Sequence, residues 1–452
     1  MIQMINLKKI QGYVIGTLLL VGSIGGIQST FAALPISQIQ LASGAKLYFV
    51  ETQSIPMVDI GLDFSAGSVF DPRAKSGLAD FTAGLLNKGS VLSGVPRNEA
   101  YIADKISDQG AIVSFSASSE SANVRIRSLS RSDVLNSVVA QLADMLAYPV
   151  YDPKILEREK QRALSALKEE DTKPDVMLSK QFQRMVYQNH PFGFQETQNS
   201  IRSIRVEDLK RFHHDYYRAS HANVLIVGAL TKERAIQIAN QLTAKLPKGP
   251  ELSFAIPAVD QLPKKLAAQR EVRLASQSQQ AHIQIGMIGV PRNDPDYFPL
   301  MVGNYILGGG GFASRLMNEV REKRALAYGV SSYFYPGQIS GIFAASLQTK
   351  SDQADQALDV MRSTIALFID KGPTDQELQS AKDNLVNGFP LRIDSNQKLL
   401  QNLSGIASHH LPLNTLDIWN EQVSQVTREQ VIQAFQKHLD MDRMITVLVG
   451  AK

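Results

Sequence analysis

One pattern occurs twice in this chain, and it limits the possible folds more than any other feature. Residues 206–230 read VEDLKRFHHDYYRASHANVLIVGAL, and residues 428–452 read REQVIQAFQKHLDMDRMITVLVGAK. Each has helical apolar spacing, a short polar break, and an apolar strand that ends in Val-Gly-Ala. Three earlier matches come in the same order. MVDIGLDFSAG parallels AHIQIGMIGV, the helical SGLADFTAGLLNK parallels YFPLMVGNYILG, and the alternating SANVRIRSL parallels ISGIFAASLQT. Between residues 131 and 188 the spacing is helical, with breaks near Tyr148-Pro149 and Lys173-Pro174; residues 351–386 repeat that run. A programme repeated in order implies two homologous α+β domains rather than two unrelated ones. The proline-rich PKGPELSFAIPAVDQLPKK separates them and reads as a linker. The expected boundaries are 33–245, a linker at 246–269, and 270–452.

Residues 1–32 read as a secretory signal: Lys8-Lys9, the apolar YVIGTLLLVGSIGGI, then the small-residue STFAA. Cleavage after Ala32, with Thr30 at the −3 position, fits best, and Ala33 is the next choice. The competing reading, an uncleaved anchor, is weakened by Gly22, Gly25 and Gly26. The chain has no cysteine, which excludes a lipid anchor at the cleavage site, a disulfide framework and any Cys-ligated metal. No later stretch approaches the ~18 apolar residues of a span. The expected product is exported and soluble, without a stable membrane anchor. A net charge of +4, with no basic run, gives no footing for nucleic acid.

The glycine run at Leu307–Gly311 invites a nucleotide reading. Phosphate loops run strand, glycines, helix; here the glycines follow a helix, and no Gly-Lys-Ser/Thr appears. Lys88-Gly89 reads as the C-cap of the helix that opens after Lys75-Ser76.

Several stretches carry a family resemblance: AGSVFDPRAKSGLADF, ILEREKQRAL, NHPFGF, VEDLKRFHHDYYRASHANVLIVG, and the long RNDPDYFPLMVGNYILGGGGFASRLMNEVREKRALAYGVSSYF. On these the chain resembles the pitrilysin or insulinase-like zinc metallopeptidases, whose members include the mitochondrial processing peptidase. The resemblance implies that each domain is a mostly antiparallel β-sheet packed with helices. It also implies that two such tandem pairs enclose a chamber. Active members carry H-x-x-E-H on the first helix and a second glutamate further on. Zinc needs three protein ligands, an open position for water and a nearby base. By resemblance the two histidines fall on Asp80 and Gly84, the base on Ala83, and the distal ligand on Ala166 (Ser165 if the register slips by one). No catalytic zinc is expected in this chain.

The same resemblance places the family's substrate-binding pair on Arg321 and Tyr328. Read from the residues alone, these suit an exposed helix end and a strand-start aromatic. Seven residues is nearly two helical turns, so they share a face if the helix continues that far. The glycines Gly308, Gly309, Gly310 and Gly311 correspond to a loop that lines the chamber, and His282 to a strand beside the substrate edge. His213, His214 and His221 fall where the family has aromatic and polar residues, a structural role. His409-His410 reads as a surface pair or helix end. The expectation is a non-catalytic, substrate-binding subunit. It would act in the periplasm on unfolded peptides, beside an H-x-x-E-H-bearing homologue that holds the zinc. The alternative is a peptide-binding scaffold with no hydrolytic partner.

Overall fold

The computed structural model describes residues 35–247, 255–262 and 270–451. The leader reading and much of the linker lie outside these. Thirteen strands form two main sheets and one small hairpin among the described residues. The first sheet holds β1 (Ser37–Gln40), β2 (Lys46–Glu51) and β3 (Met57–Phe64), with β6 (Ile112–Ala117), β7 (Ala122–Leu129) and β8 (Ala222–Gly228). β4 (Gly89–Leu92) and β5 (Val95–Asn98) form the hairpin. The second sheet holds β9 (Glu271–Leu274), β10 (Gln280–Ile288), β11 (Ala327–Tyr335), β12 (Ile342–Lys350) and β13 (Ile445–Val449).

The internal repeat reappears as topology. The first sheet runs β1-β2-β8-β3-β7-β6, and the second, read from its far edge, runs β9-β13-β10-β12-β11. In both, the closing Val-Gly strand pairs parallel with one neighbour and antiparallel with the other: β8 with β2 and β3, β13 with β9 and β10. All other pairs are antiparallel. The first sheet differs by the added edge strand β1. The fold is therefore α+β with two like halves, as the repeat requires.

The first half's helices are α1 (Leu78–Gly84), α2 (Glu99–Asp108), α3 (Ser132–Ala147), α4 (Pro153–Glu170), α5 (Pro174–Tyr187), α6 (Gln198–Ser203), α7 (Val206–Tyr216) and α8 (Lys232–Thr243). The second half's are α9 (Tyr297–Asn304), α10 (Ala354–Lys371), α11 (Asp375–Gly388), α12 (Asn396–Ser408), α13 (Trp419–Gln425) and α14 (Arg428–His438). None of these helices is long and apolar enough to cross a membrane. The breaks between α3, α4 and α5 follow the chemistry of their starts. Asp152 caps α4, accepting from the Lys154 N–H at 2.7 Å, and proline occupies the first turn of both α4 and α5.

The halves are interlocked by an exchange of helices. α5 belongs to the first half but packs on β10 and β13 of the second sheet, where Leu178, Phe182 and Val186 meet Ile288, Ala344 and Val447. α12 belongs to the second half and packs on β3 and β8, where Leu399, Leu400 and Leu403 join a core with Tyr48, Val50, Leu225 and Val227. Each buried side chain of this size contributes about 1.5–3 kcal/mol, so both exchanges are strongly favoured. The covered face of the first sheet also carries charge. Arg127 binds Asp59 at 2.9 Å, and Asp63 takes Arg125 from β7 and the Ser404 hydroxyl from α12. The described linker residues, 255–262, have no regular structure. Val259 and Leu262 pack against the α5 cluster, and His190 Nε2 lies 2.9 Å from the Pro257 carbonyl.

Candidate functional site

α1 begins with a left-handed residue, Gly77 at φ +103°, where a side chain would be strained. The helix start is capped from a distance. The Asp71 carboxylate accepts the Gly77 N–H at 2.8 Å and the Ala79 N–H at 3.0 Å. Leu78, Ala79, Phe81, Thr82 and Ala83 of this helix are buried, which leaves Asp80 and Gly84 on its outer side.

Asp80 and Gly84 face a depression of about 360 Å³ that α4 closes with Glu159, Arg162, Ala163 and Ala166. Three of the four positions expected at the vestigial metal site therefore meet. The fourth, Ala83, is 1% exposed and does not line the depression. Ala166 lines it and Ser165 does not; the Ser165 hydroxyl donates to the Gln161 carbonyl of its own helix at 3.0 Å. A Cβ built on Gly84 would meet nothing within 4 Å, so the volume a ligand side chain would fill is open.

Of the four expected positions only Asp80 carries a donor, and one carboxylate does not make the three-ligand set of a catalytic zinc. Gly84 and Ala166 have no donor atom, and Glu159 is held by Arg158 and Arg162. Among the described residues the one converging set of three metal-capable side chains is Asp294, Asp296 and His438, in the other half. There Lys437 Nζ and His438 Nε2 already lie 2.7 and 2.8 Å from one Asp296 oxygen.

What occupies the vestigial site instead is a pair of carboxyls. Asp80 and Glu196 carry no hydrogen-bond or ion-pair partner among the described residues. Both also line a second, larger cavity of about 680 Å³, whose walls include Asp71, Glu120, Tyr187 and Phe194 from the first half and Tyr335 and Ser340 from the second. Asp80 opens onto this cleft, but the surrounding protein still limits its hydration and pushes its pKa to about 6. Burial, then the nearby Asp80, pushes Glu196 to about 7. Burial raises Asp71 to about 7, against its backbone hydrogen bonds. Glu120 spans the halves and accepts the Gln338 N–H at 3.0 Å.

Sequence reasoning missed Glu196, Asp71 and Glu159. Asp71 caps over six residues rather than the usual two or three, so no local capping pattern marks it. Glu196 lies two residues beyond the NHPFGF stretch and becomes notable only when folding brings it to Asp80. The reading of Lys88-Gly89 as a helix cap was wrong. α1 ends at Gly84, and Gly89 opens β4, because the chain turns at 85–87 to start the hairpin.

In the second half, Arg321 and Tyr328 meet, but not along one helix. The last turn ends at Glu322, and the chain re-enters β11 at Ala327. The Arg321 guanidinium carbon lies 4.7 Å from the Tyr328 ring centre and 4.7 Å from that of Phe312. The Arg321 guanidinium makes one ion pair, with Glu322 at 3.5 Å, and no hydrogen bond among the described residues. Tyr328 is 87% exposed, and its hydroxyl has no partner among them. The glycine loop is seated on its own chain more than it is open. A Cβ on Gly308 would overlap Ser332, and one on Gly310 would come within 2.7 Å of the Tyr305 carbonyl. Gly309 and Gly311 are exposed, and Gly311 adopts φ +59°.

His282 lies in an interior strand of the second sheet. β10 is paired on both sides, by β12 and β13, and the His282 ring meets Gln348 at 3.2 Å. His213 is a core residue with Nε2 2.8 Å from the Leu146 carbonyl, and burial lowers its pKa to about 4.

Two sheets of one topology, an incomplete ligand set between α1 and α4, and a half-buried Arg321 against an exposed Tyr328 fit a chain of the insulinase-like metallopeptidase kind without a catalytic metal site. Comparison with known sequences agrees. The profile described as insulinase (peptidase family M16) matches residues 48–197, and that described as the peptidase M16 inactive domain matches 203–385. The chain belongs to the insulinase (M16) family. It is 24% identical over 437 residues to a Helicobacter pylori protein named non-peptidase homolog YmxG, covering 96% of this chain and 98% of the relative. It is 23% identical over 367 residues to a probable mitochondrial-processing peptidase subunit alpha of Schizosaccharomyces pombe, covering 76% and 70%. Among solved structures, a peptidase M16 inactive domain from Pseudomonas fluorescens superposes with a TM-score of 0.87 at 34% identity, covering 93% of this chain and 98% of that one.

Proposed function

We propose that this chain is the substrate-binding, non-hydrolytic subunit of a two-chain zinc peptidase that acts on unfolded peptides in the periplasm. The partner is a homologue with an intact H-x-x-E-H, which holds the zinc and supplies the activated water. This chain supplies Arg321 and Tyr328. Arginine offers permanently charged donors in a fixed plane, and the tyrosine hydroxyl donates to the oxygen of the scissile amide as it gains charge. The observation that carries this reading is the contrast between the two sites. The metal position keeps only the Asp80 carboxylate among its expected donors, whereas the Arg321 guanidinium and the Tyr328 ring remain in contact and neither side chain makes a hydrogen bond among the described residues.

Co-expression with an H-x-x-E-H homologue tests it. Peptidase activity should appear only in the mixture and fall by about 10²–10³-fold in Arg321→Ala, the scale of removing one oxyanion donor. Equal activity of the homologue alone would reject the proposal. A second reading, a peptide-binding scaffold, is favoured by the 680 Å³ cleft, which is complete within one chain. Tight peptide binding by the isolated chain, unchanged by Arg321→Ala, would select it.

A further inference from the structure

We infer that Phe312 is a positioning residue for Arg321, holding its guanidinium plane in place for an incoming peptide. The inference rests on the proposed role of Arg321 and adds to it a residue to which no role is otherwise given. The Phe312 ring is 69% exposed, and what marks it out is the cation it meets. Its ring centre lies 4.7 Å from the Arg321 guanidinium carbon, the same separation as Tyr328, so the cation has two exposed aromatic neighbours.

The loop is built to deliver this ring. Gly308 and Gly310 seat the chain against Ser332 and Tyr305, and Gly311 turns it through a left-handed conformation. Ser314 then closes the turn, its hydroxyl donating to the Gly311 carbonyl at 2.7 Å. The charged neighbours of Arg321 do not hold it. Glu319 is engaged by Lys323 and Arg324, and Glu322 is a single contact at 3.5 Å. An arginine without a firm carboxylate partner samples many rotamers and loses that freedom on binding. Aromatic contacts restrict it beforehand without using its N–H donors.

Two measurements on the full chain test this. With arginine isotopically labelled, the Arg321 Nε–H signal is identified by its absence in Arg321→Ala. It should be ring-shifted and rigid in the wild type, more mobile and with part of its ring shift lost in Phe312→Ala, where Tyr328 remains beside it, and restored in Phe312→Tyr. Affinity for a fluorescein-labelled, unstructured 15-residue peptide, measured with the homologue present and its zinc removed by a chelator so that the probe is not cut, should weaken about 3–5-fold in Phe312→Ala, the scale of one exposed cation–π contact. Phe312→Tyr should recover it. An Arg321 signal unchanged by Phe312→Ala overturns the inference. So does an affinity lost in Arg321→Ala but untouched in Phe312→Ala, which leaves the two-chain reading standing. If Arg321→Ala leaves affinity unchanged, Arg321 does not hold the incoming peptide and this inference falls, while the two-chain reading is decided separately by the peptidase activity of the mixture.

Discussion

The cap on α1 makes folding stability depend on pH in an unusual direction. Asp71 is 5% exposed, and its pKa rises from 3.8 to about 7, mainly because it is buried. The folded chain thus holds this proton up to near-neutral pH, whereas the unfolded chain has released it above about pH 4. Between these values the native state binds more protons, so stability falls as pH rises. From pH 5 to pH 8 the loss from this one carboxyl is roughly 2–3 kcal/mol.

Asp71→Asn removes the titration and also costs something that pH does not change. Asparagine has one acceptor where Asp71 uses two, on Gly77 and Ala79, so a buried N–H loses its partner at about 1–3 kcal/mol. The variant should therefore be less stable than wild type at pH 5, and the gap should close or reverse by pH 8. Urea unfolding followed by far-UV circular dichroism at the two pH values measures this. A gap of the same size at both would show that Asp71 is not protonated in the folded state and would refute the account.

The remaining predictions concern other parts of the molecule. Asp80→His, Gly84→His and Ala166→Glu combined should retain zinc after dialysis, measured by atomic emission, because all three positions line one depression with open space at Gly84. No retained metal would show that α1 and α4 no longer have a zinc-binding spacing. Gly308→Ala should lower the melting temperature by several degrees, since its methyl overlaps Ser332 and overpacking costs about 1–3 kcal/mol. An unchanged melting temperature would mean the loop is not seated as described. Arg125→Ala should destabilise by roughly 1–3 kcal/mol in urea unfolding, less than for a fully buried pair because Arg125 is 31% exposed. Asp63 would keep Ser404 but lose its cation.

What the sequence made legible, and what it hid, follows from how far each signal reaches along the chain. β7 alternates buried and half-buried residues from Ala122 to Ser128, ending on the exposed Leu129, and its pattern is plain in SANVRIRSL. The repeat predicted equal strand orders because order is inherited with the programme. The four-residue β1, β4 and β5 are too short for a periodic signal and went unread. Periodicity also shows that α5 and α12 each have an apolar face, but not which sheet it covers, so the exchange between halves was invisible. Phe312 follows the glycine run with no local signal to mark it, because its partner Arg321 is nine residues on and meets it only through the fold.

The α1 positions that the family resemblance assigns to metal ligands can change without losing the helix. Leu78, Ala79, Phe81 and Thr82 point into the core, so they hold α1 in place whatever lies on its other side. Asp80 and Gly84 face the depression, where substitution costs little packing. Ala83 is different. At 1% exposure it sits against neighbours, and a carboxylate there would have to be desolvated or displace them. The triple variant that regains zinc should therefore still fail to cut peptides, since the base position stays with alanine. Adding Ala83→Glu should cost stability before it yields any activity. If the triple variant alone hydrolysed peptide, the water would be activated by another group, and the nearby carboxyls Asp71 and Glu196 would be the ones to mutate next.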